Sequence, residues 1–244
     1  MATQRDNAPI WARPEPGARR PRFSREQIAA AALAIADAEG FDAVSMRRVA
    51  ADLGAGTMTL YHYVRTKDEL VALMDDVLMG TALVPDAELP AEWRAALTMV
   101  AHKTREAIGQ HPWALVSLRE AAMGPNAMRH FEQSLAALRE VGLDYASKIE
   151  ILAIVDDYVH GYLLRAEEVN ARNDMADPEA AQAAMEFGLQ QLATGQFPLT
   201  KAIYDESQRG GGLAEVFGAE ATARRFDTGL QAMLDGLAIR YRLP

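Results

Sequence analysis

The sequence predicts an all-α protein, and three observations carry that reading. Apolar residues recur at i, i+3, i+4 and i+7 through most of the chain. Ser, Thr, Gly and Pro punctuate those stretches where helices start and stop. No stretch shows the alternating Val/Ile/Thr pattern of a sheet strand. Roughly nine or ten helices are expected from the periodicity.

Residues 1–22 hold four of the eleven prolines and five arginines without apolar periodicity, and are expected to form a flexible basic arm. Ser24-Arg25-Glu26-Gln27 is a capping box for a first helix that buries Ile28, Ala31, Ala32, Ile35 and Ala36. Gly40 supplies the left-handed residue that ends it. Ser45 caps a short second helix with Met46, Val49, Ala50 and Leu53 inside. A tight turn at Leu53-Gly54-Ala55-Gly56 leads to a third short helix from about Thr57 to Val64. A fourth starts near Thr66, with Leu70, Leu73, Met74 and Val77 on one face. Beyond Pro85 and Pro90, segments near 91–109, 112–122, 125–141, 145–171, 178–194 and 222–241 repeat the helical pattern. Breaks such as Gly124-Pro125, Asp177-Pro178 and Gly210-Gly211-Gly212 separate them.

Several classes of protein are excluded or disfavoured. The longest strongly apolar run, Ile28 to Ala36, is far short of the ~18 residues of a membrane span. The N-terminus has no apolar core after its charges, so no secretory signal is expected. With no cysteine, disulfides, thiolate metal sites and cysteine nucleophiles are absent, and the cytoplasm is the default location. The net charge of −9 is unevenly placed. Residues 1–67 carry ten Lys and Arg against seven Asp and Glu, and the remainder carries fifteen against twenty-seven. A basic front on an acidic body directs the front towards an anion.

A long helix followed by two short ones around a glycine turn is a helix-turn-helix arrangement. By spacing alone, two core helices of any all-α protein fit as well. The third helix separates the readings. It buries Leu60 and Val64 and turns Thr57, Met58, Thr59, Tyr61, His62 and Tyr63 mostly outward, where a solvated helix carries Lys and Glu. Hydroxyls, an imidazole and a thioether suit base edges, methyls and phosphates.

Residues 24–79 resemble the DNA-binding domain of TetR-type transcriptional repressors. Residues 53–70, LGAGTMTLYHYVRTKDEL, follow the family's L-G-V-x-x-x-T-L-Y-x-[HY]-[FV]-x-x-K-x-x-L nearly throughout. Residues 40–50 follow its G-x-x-x-[ST]-x-R-x-[IVL]-A. The departure is Gly56, where the family often has a capping Ser; either Gly56 caps weakly or Thr57 takes over. The resemblance implies that Arg47 reaches a guanine edge and that Thr57, Met58, Thr59, Tyr61, His62 and Tyr63 form the recognition helix, Met58 meeting a thymine methyl. It also places Ser45 and Lys67 on phosphates. Tyr61 suits packing between helices equally well.

Residues 226–237 resemble the family's last helix, F-x-x-G-L-x-x-[IM]-[IL]-x-G-L, which pairs with a long helix, here near 147–172, to form a dimer. Phe226, Leu230, Met233, Leu234 and Leu237 form one stripe, with Gly229 and Gly236 admitting close approach. An ordinary core helix shows the same stripe. The resemblance implies a homodimer on a near-palindromic double-stranded DNA operator, in domains 23–80 (DNA binding) and 81–244 (effector binding and dimerisation). It also implies a small-molecule pocket among the middle helices. Met99, His102, Trp113, Met123, His130, Phe131, Asp157 and His160 are the candidates, although such residues also make plain core.

Asp156 and His160, four apart, have the spacing to share a metal, but no third ligand is identifiable. No metal or cofactor is therefore expected. Residues 120–125 lack the histidine that the family's tetracycline–magnesium binders carry before an R-P-T segment, which argues against a metal-bound tetracycline. There is no phosphate loop, H-E-x-x-H or G-x-S-x-G, so an enzyme is not expected. A helical interaction protein without DNA activity is the other rival. The expected function is a DNA-binding repressor released by a small, largely apolar effector.

Overall fold

A computed structural model describes residues 8–15, 23–117, 123–174, 177–209 and 219–244. Among them the regular elements are α-helices and short 3-10 turns, with no strand, as the periodicity predicts.

The first helix, α1 (Arg25–Glu39), begins at the capping box. Gln27 N donates to Ser24 Oγ at 3.1 Å and Ser24 N to Gln27 Oε1 at 2.9 Å. Gly40 follows at φ 88°, a left-handed conformation that strains other residues. Ser45 Oγ caps α2 (Met46–Asp52), and α3 (Thr57–Tyr61) starts after Gly56 with no side-chain cap. The missing Ser therefore does not shift the start of α3. Its end comes earlier than the periodicity suggests, because Tyr63 N and Val64 N both donate to Leu60 O and tighten the chain. Thr66 caps α4 (Lys67–Thr81) by accepting from Glu69 N at 3.1 Å.

Ile28, Val49, Leu60, Leu70 and Met74 have no exposed area and form one core shared by α1 to α4. The helix α4 also packs on α5 (Trp93–Gly109) and α7 (Pro125–Ala137), and touches the short α6 (Ala114–Ser117). The helix α8 (Tyr145–Asp174) follows. The first compact unit runs to Leu163 and takes in α1 to α7 with the first part of α8. The helix expected over 112–122 is represented by α6, and residues 118–122 lie outside the described residues.

Residues 8–15 differ from the expected loose arm; residues 1–7 and 16–22 lie outside the described residues. Ile10–Ala12 form a 3-10 turn, and Ile10 is 2% exposed in the core of α1 to α4. Arg25 Nη1 donates to the carbonyls of Ile10 and Arg13, both at 2.8 Å, and Arg13 pairs with Glu69. The proline- and arginine-rich composition hides one Ile-Trp pair, which docks the segment together with the Arg25 and Arg13 contacts.

The second unit, Leu164–Pro244, holds the end of α8, with α9 (Pro178–Ala193), α10 (Pro198–Arg209) and α11 (Ala219–Tyr241). Phe226, Leu230 and Leu234 have no exposed area in a single protomer, Leu237 is nearly buried and Met233 is half-buried. Three of the five side chains of this stripe are therefore covered within the protomer, while Met233 keeps part of its surface open. The helix α9 is the opposite case. It buries no residue and leaves Met185, Phe187 and Leu189 exposed.

The docked N-terminal segment is testable. Ile10→Ala should lower stability in urea denaturation by about 2–5 kcal/mol, the usual cost of emptying a buried Ile site. A loose arm would leave the midpoint unchanged.

Candidate nucleic-acid interface and cavity

The expected contact residues lie on α2, α3, the start of α4 and the positions that flank them. Ser45, Arg47, Met58, Tyr61, His62 and Lys67 are exposed, and Thr57 and Thr59 are half-buried. Met58 is 73% exposed. Tyr61 is also open, so packing between helices does not account for it. Tyr63 is the correction. It is 6% exposed and meets Phe23 edge-on at 6.5 Å, so it holds the domain together and cannot reach a base. The early end of α3 turns it inward.

Neighbouring arginines have different surroundings. Arg48 is tied to Glu39 at 2.6 Å and to Asp52 at 3.5 Å, while Arg47 is exposed one position earlier. Lys67, in the first turn of α4, lies with Nζ 5.3 Å from the centre of the Phe41 ring. Phe41 stacks on Trp113, ring centres 5.7 Å apart and 5° from parallel. Trp113 Nε1 donates to Asp37 Oδ1 at 2.9 Å, and His111 Nδ1 bonds to the same oxygen at 2.7 Å. Trp113 was expected in an effector pocket. It instead joins the loop before α6 to α1 and Phe41.

A cavity of about 310 Å³ lies among α4, α7 and α8. Asp75, Asp76 and Met79 of α4 border it, with Ala127, His130, Phe131 and Ser134 of α7. Met123, Leu152 and Asp156 complete the lining. Three of the eight expected residues, Met123, His130 and Phe131, are therefore brought together. Met99, His102, Trp113, Asp157 and His160 are not part of the lining. His160 Nδ1 bonds to the Asp156 carbonyl at 2.9 Å, which gives their four-residue spacing a helical explanation. Residues 120–122 lie outside the described residues.

Sequence reasoning missed Asp75 and Asp76, although two adjacent acids within the apolar pattern of α4 were a signal. Asp76 has a structural task. Its Oδ1 accepts from Asn126 N at 2.8 Å and Ala127 N at 3.0 Å, so it caps α7 from another helix. Asp75 is less well provided for. Ser117 Oγ donates to its Oδ1 at 2.7 Å, while its Oδ2 is buried with no hydrogen-bond partner. Burial pushes the Asp75 carboxyl up to about 6, and the Ser117 bond opposes that shift. Burial likewise pushes His130 down to about 4, helped by nearby His160, so its imidazole is neutral. Asp156 is exposed on α8, yet enough protein surrounds its carboxylate for desolvation to raise its pKa.

The comparisons with known proteins agree with this arrangement. The sequence profile described as "Bacterial regulatory proteins, tetR family" matches residues 28–74. That of the "Tetracyclin repressor-like, C-terminal domain" matches residues 85–241, well over half of the chain. The chain belongs to the TetR family. It is a transcriptional regulator with an N-terminal helix-turn-helix and a tetracycline-repressor-like body. It is 35% identical to the HTH-type transcriptional repressor DrrR1 of Streptomyces coeruleorubidus, over 90% of this chain and 79% of that one. Apo ActR from Streptomyces coelicolor matches with a TM-score of 0.70 and 26% identity, over 92% of this chain and 98% of that chain. ActR in complex with actinorhodin matches with a TM-score of 0.65 and 26% identity, over 90% and 98%. The TetR-family body accounts for α5 to α11 and the helix-turn-helix for α1 to α3.

Asp75 makes stability depend on pH. Its folded pKa lies above the free value, so the stability it contributes is complete at low pH and is lost as pH rises through about 6. Asp75→Asn should therefore raise the urea midpoint at pH 7.5 by the equivalent of roughly 1–3 kcal/mol and flatten the change between about pH 4 and 6. A variant less stable than wild type at pH 7.5 would contradict this account of the group.

Proposed function

We propose that this TetR-family protein is a homodimeric repressor acting on DNA in the cytoplasm. It reads a near-palindromic operator through α2 and α3 of each protomer and lets go when a small molecule fills the cavity among α4, α7 and α8. One observation carries the proposal. The helix α4 begins with Lys67 beside the recognition surface and continues as a wall of the cavity. The actinorhodin complex of ActR supports a small molecule as the releasing signal.

In this reading Arg47 supplies a base contact and Met58, Tyr61 and His62 a second set, while Lys67 and Ser45 fix the backbone register. The exposed apolar residues of α9 and of Phe197, Leu199 and Ile203 support burial against a second copy, in place of the buried stripe of α11. A ligand that displaces α4 moves Lys67 with it. Ser117 gives a second route, because it ties Asp75 to α6, and the loop before α6 reaches Asp37 and Phe41. A dimer spanning successive major grooves, about 34–36 Å apart, tolerates little change in spacing. By linkage, a ligand that weakens DNA binding a hundredfold has a coupling of about 2.7 kcal/mol and binds the DNA-free protein a hundredfold better.

Two substitutions test the DNA contacts in mobility-shift titrations over a range of salt. Lys67→Ala should weaken binding to all sequences alike and reduce the log–log salt slope by about 1. Arg47→Ala should cost about 1–3 kcal/mol at one base pair per half-site and relax specificity there. Equal losses on selected and random DNA from both variants would overturn the assignment. For the coupling, Trp113→Ala should reduce ligand-induced release more than it changes DNA affinity without ligand. Unchanged release would take the Asp37–Trp113–Phe41 contacts out of the mechanism.

A further inference from the structure

The polar groups of the cavity share one property: they accept hydrogen bonds. Thr104 shows this for His130. Thr104 Oγ1 donates its single proton to the Val100 carbonyl at 2.9 Å and lies 2.9 Å from His130 Nε2. With the hydroxyl proton on the Val100 carbonyl, the Thr104 oxygen is open to accept from Nε2–H, the tautomer in which Nδ1 is the acceptor of a neutral ring. Ser134 Oγ donates to the His130 carbonyl at 2.8 Å, so its remaining capacity is also for accepting. Asp75, Asp76 and Asp156 add carboxylates, and among the described residues no Lys or Arg borders the cavity. Asp75 is 2% exposed, and its Oδ2 has no partner. Met79, Met123, Phe131 and Leu152 provide the apolar and polarisable remainder.

A ligand matching this lining brings the positive charge that the described walls lack. We infer that the cavity takes a lipophilic organic cation, an apolar body carrying a protonated amine, with the ammonium directed at Asp75 and the Asp156 carboxylate nearby. This rests on the proposal that the cavity is the effector site, and it names the chemical class of that effector. An ammonium donor would satisfy the orphaned oxygen of Asp75 and favour its ionised form, offsetting the desolvation that raises its pKa. An anion would face three carboxylates and, among the described residues, no Lys or Arg. A neutral apolar molecule would fill the space and leave Oδ2 unpaired.

The test uses three probes with a common ring: tryptamine as cation, 3-ethylindole as neutral analogue and indole-3-propionate as anion. Binding to the full-length protein is measured by calorimetry at pH 7.5. Tryptamine should bind about tenfold or more tighter than 3-ethylindole, a difference of about 1.4 kcal/mol, and indole-3-propionate weakest. Asp75→Asn should bring tryptamine to within about threefold of 3-ethylindole while leaving the affinity for 3-ethylindole close to wild type. Asp156→Asn, on the exposed side of α8, is a second variant that should narrow the preference if Asp75→Asn fails to fold. Anion binding as tight as the cation, a preference that survives in both variants, or no binding by any probe overturns the inference. DNA release is read in parallel on selected operator fragments. Asp75-dependent tryptamine binding without release would leave the ligand class standing and refute the release mechanism. Release by a neutral or anionic molecule, with no tryptamine binding, would do the reverse.

Discussion

The helix α4 is enclosed on more than one side, and much of the molecule follows from that. Leu70, Ala72, Leu73, Met74, Asp75, Asp76 and Leu78 are all buried, more of the circumference than one amphipathic stripe covers. One arc completes the core of the helix-turn-helix, and another faces α5 and α7. A helix gripped from both sides cannot move in one domain and stay still in the other. The same enclosure takes two carboxylates out of water, and each needs a partner.

The two acids meet that demand differently. Asp76 accepts two backbone N–H groups at the start of α7, an arrangement that uses its charge where the helix dipole welcomes it. Asp75 has Ser117 for one oxygen and nothing for the other. A buried acceptor without a partner costs about 1–3 kcal/mol, more when charged, so Asp75 holds the protein below the stability its packing would allow. Destabilised groups of this kind concentrate at sites where a ligand completes the set of partners.

Features fixed by local chemistry were legible in the sequence. The capping box at Ser24, the turn at Gly40 and the starts of α2 and α3 depend on residues within four positions of one another. Features decided by what packs on an element from elsewhere were not. Tyr63 has the polar ring of a DNA reader, yet the tightened end of α3 turns it towards Phe23. Trp113 looks like a pocket aromatic until Phe41 and Asp37, more than seventy residues away, claim both its face and its N–H. The stripe from Phe226 to Leu237 is apolar whether it is covered by its own chain or by a second copy, and periodicity does not distinguish the two. The cavity was half legible. His130 and Phe131 stood out by residue type, whereas Asp75 was obscured by the apolar pattern around it.

The joint between cavity and DNA-binding core is narrow, and its geometry decides how force passes through it. Gly124, Asp76 and Trp11 meet at one point: a Cβ on Gly124 would lie 2.7 Å from Trp11 Cζ2 and closer still to the Asp76 carboxylate. Trp11 belongs to the segment whose Ile10 is in the core of α1 to α4, so this contact links α7 to that core directly. A ligand that pushes α7 away from α4 has two outcomes open to it. It can break both hydrogen bonds from α7 to Asp76, which at about 1.5–3 kcal/mol each for bonds to a charged group totals several kcal/mol. Alternatively, under the release mechanism proposed above, it can carry α4 along and displace Lys67 with both bonds intact. Under that proposal the Asp76 bonds favour the second outcome, because α4 and α7 then move together and neither bond is lost.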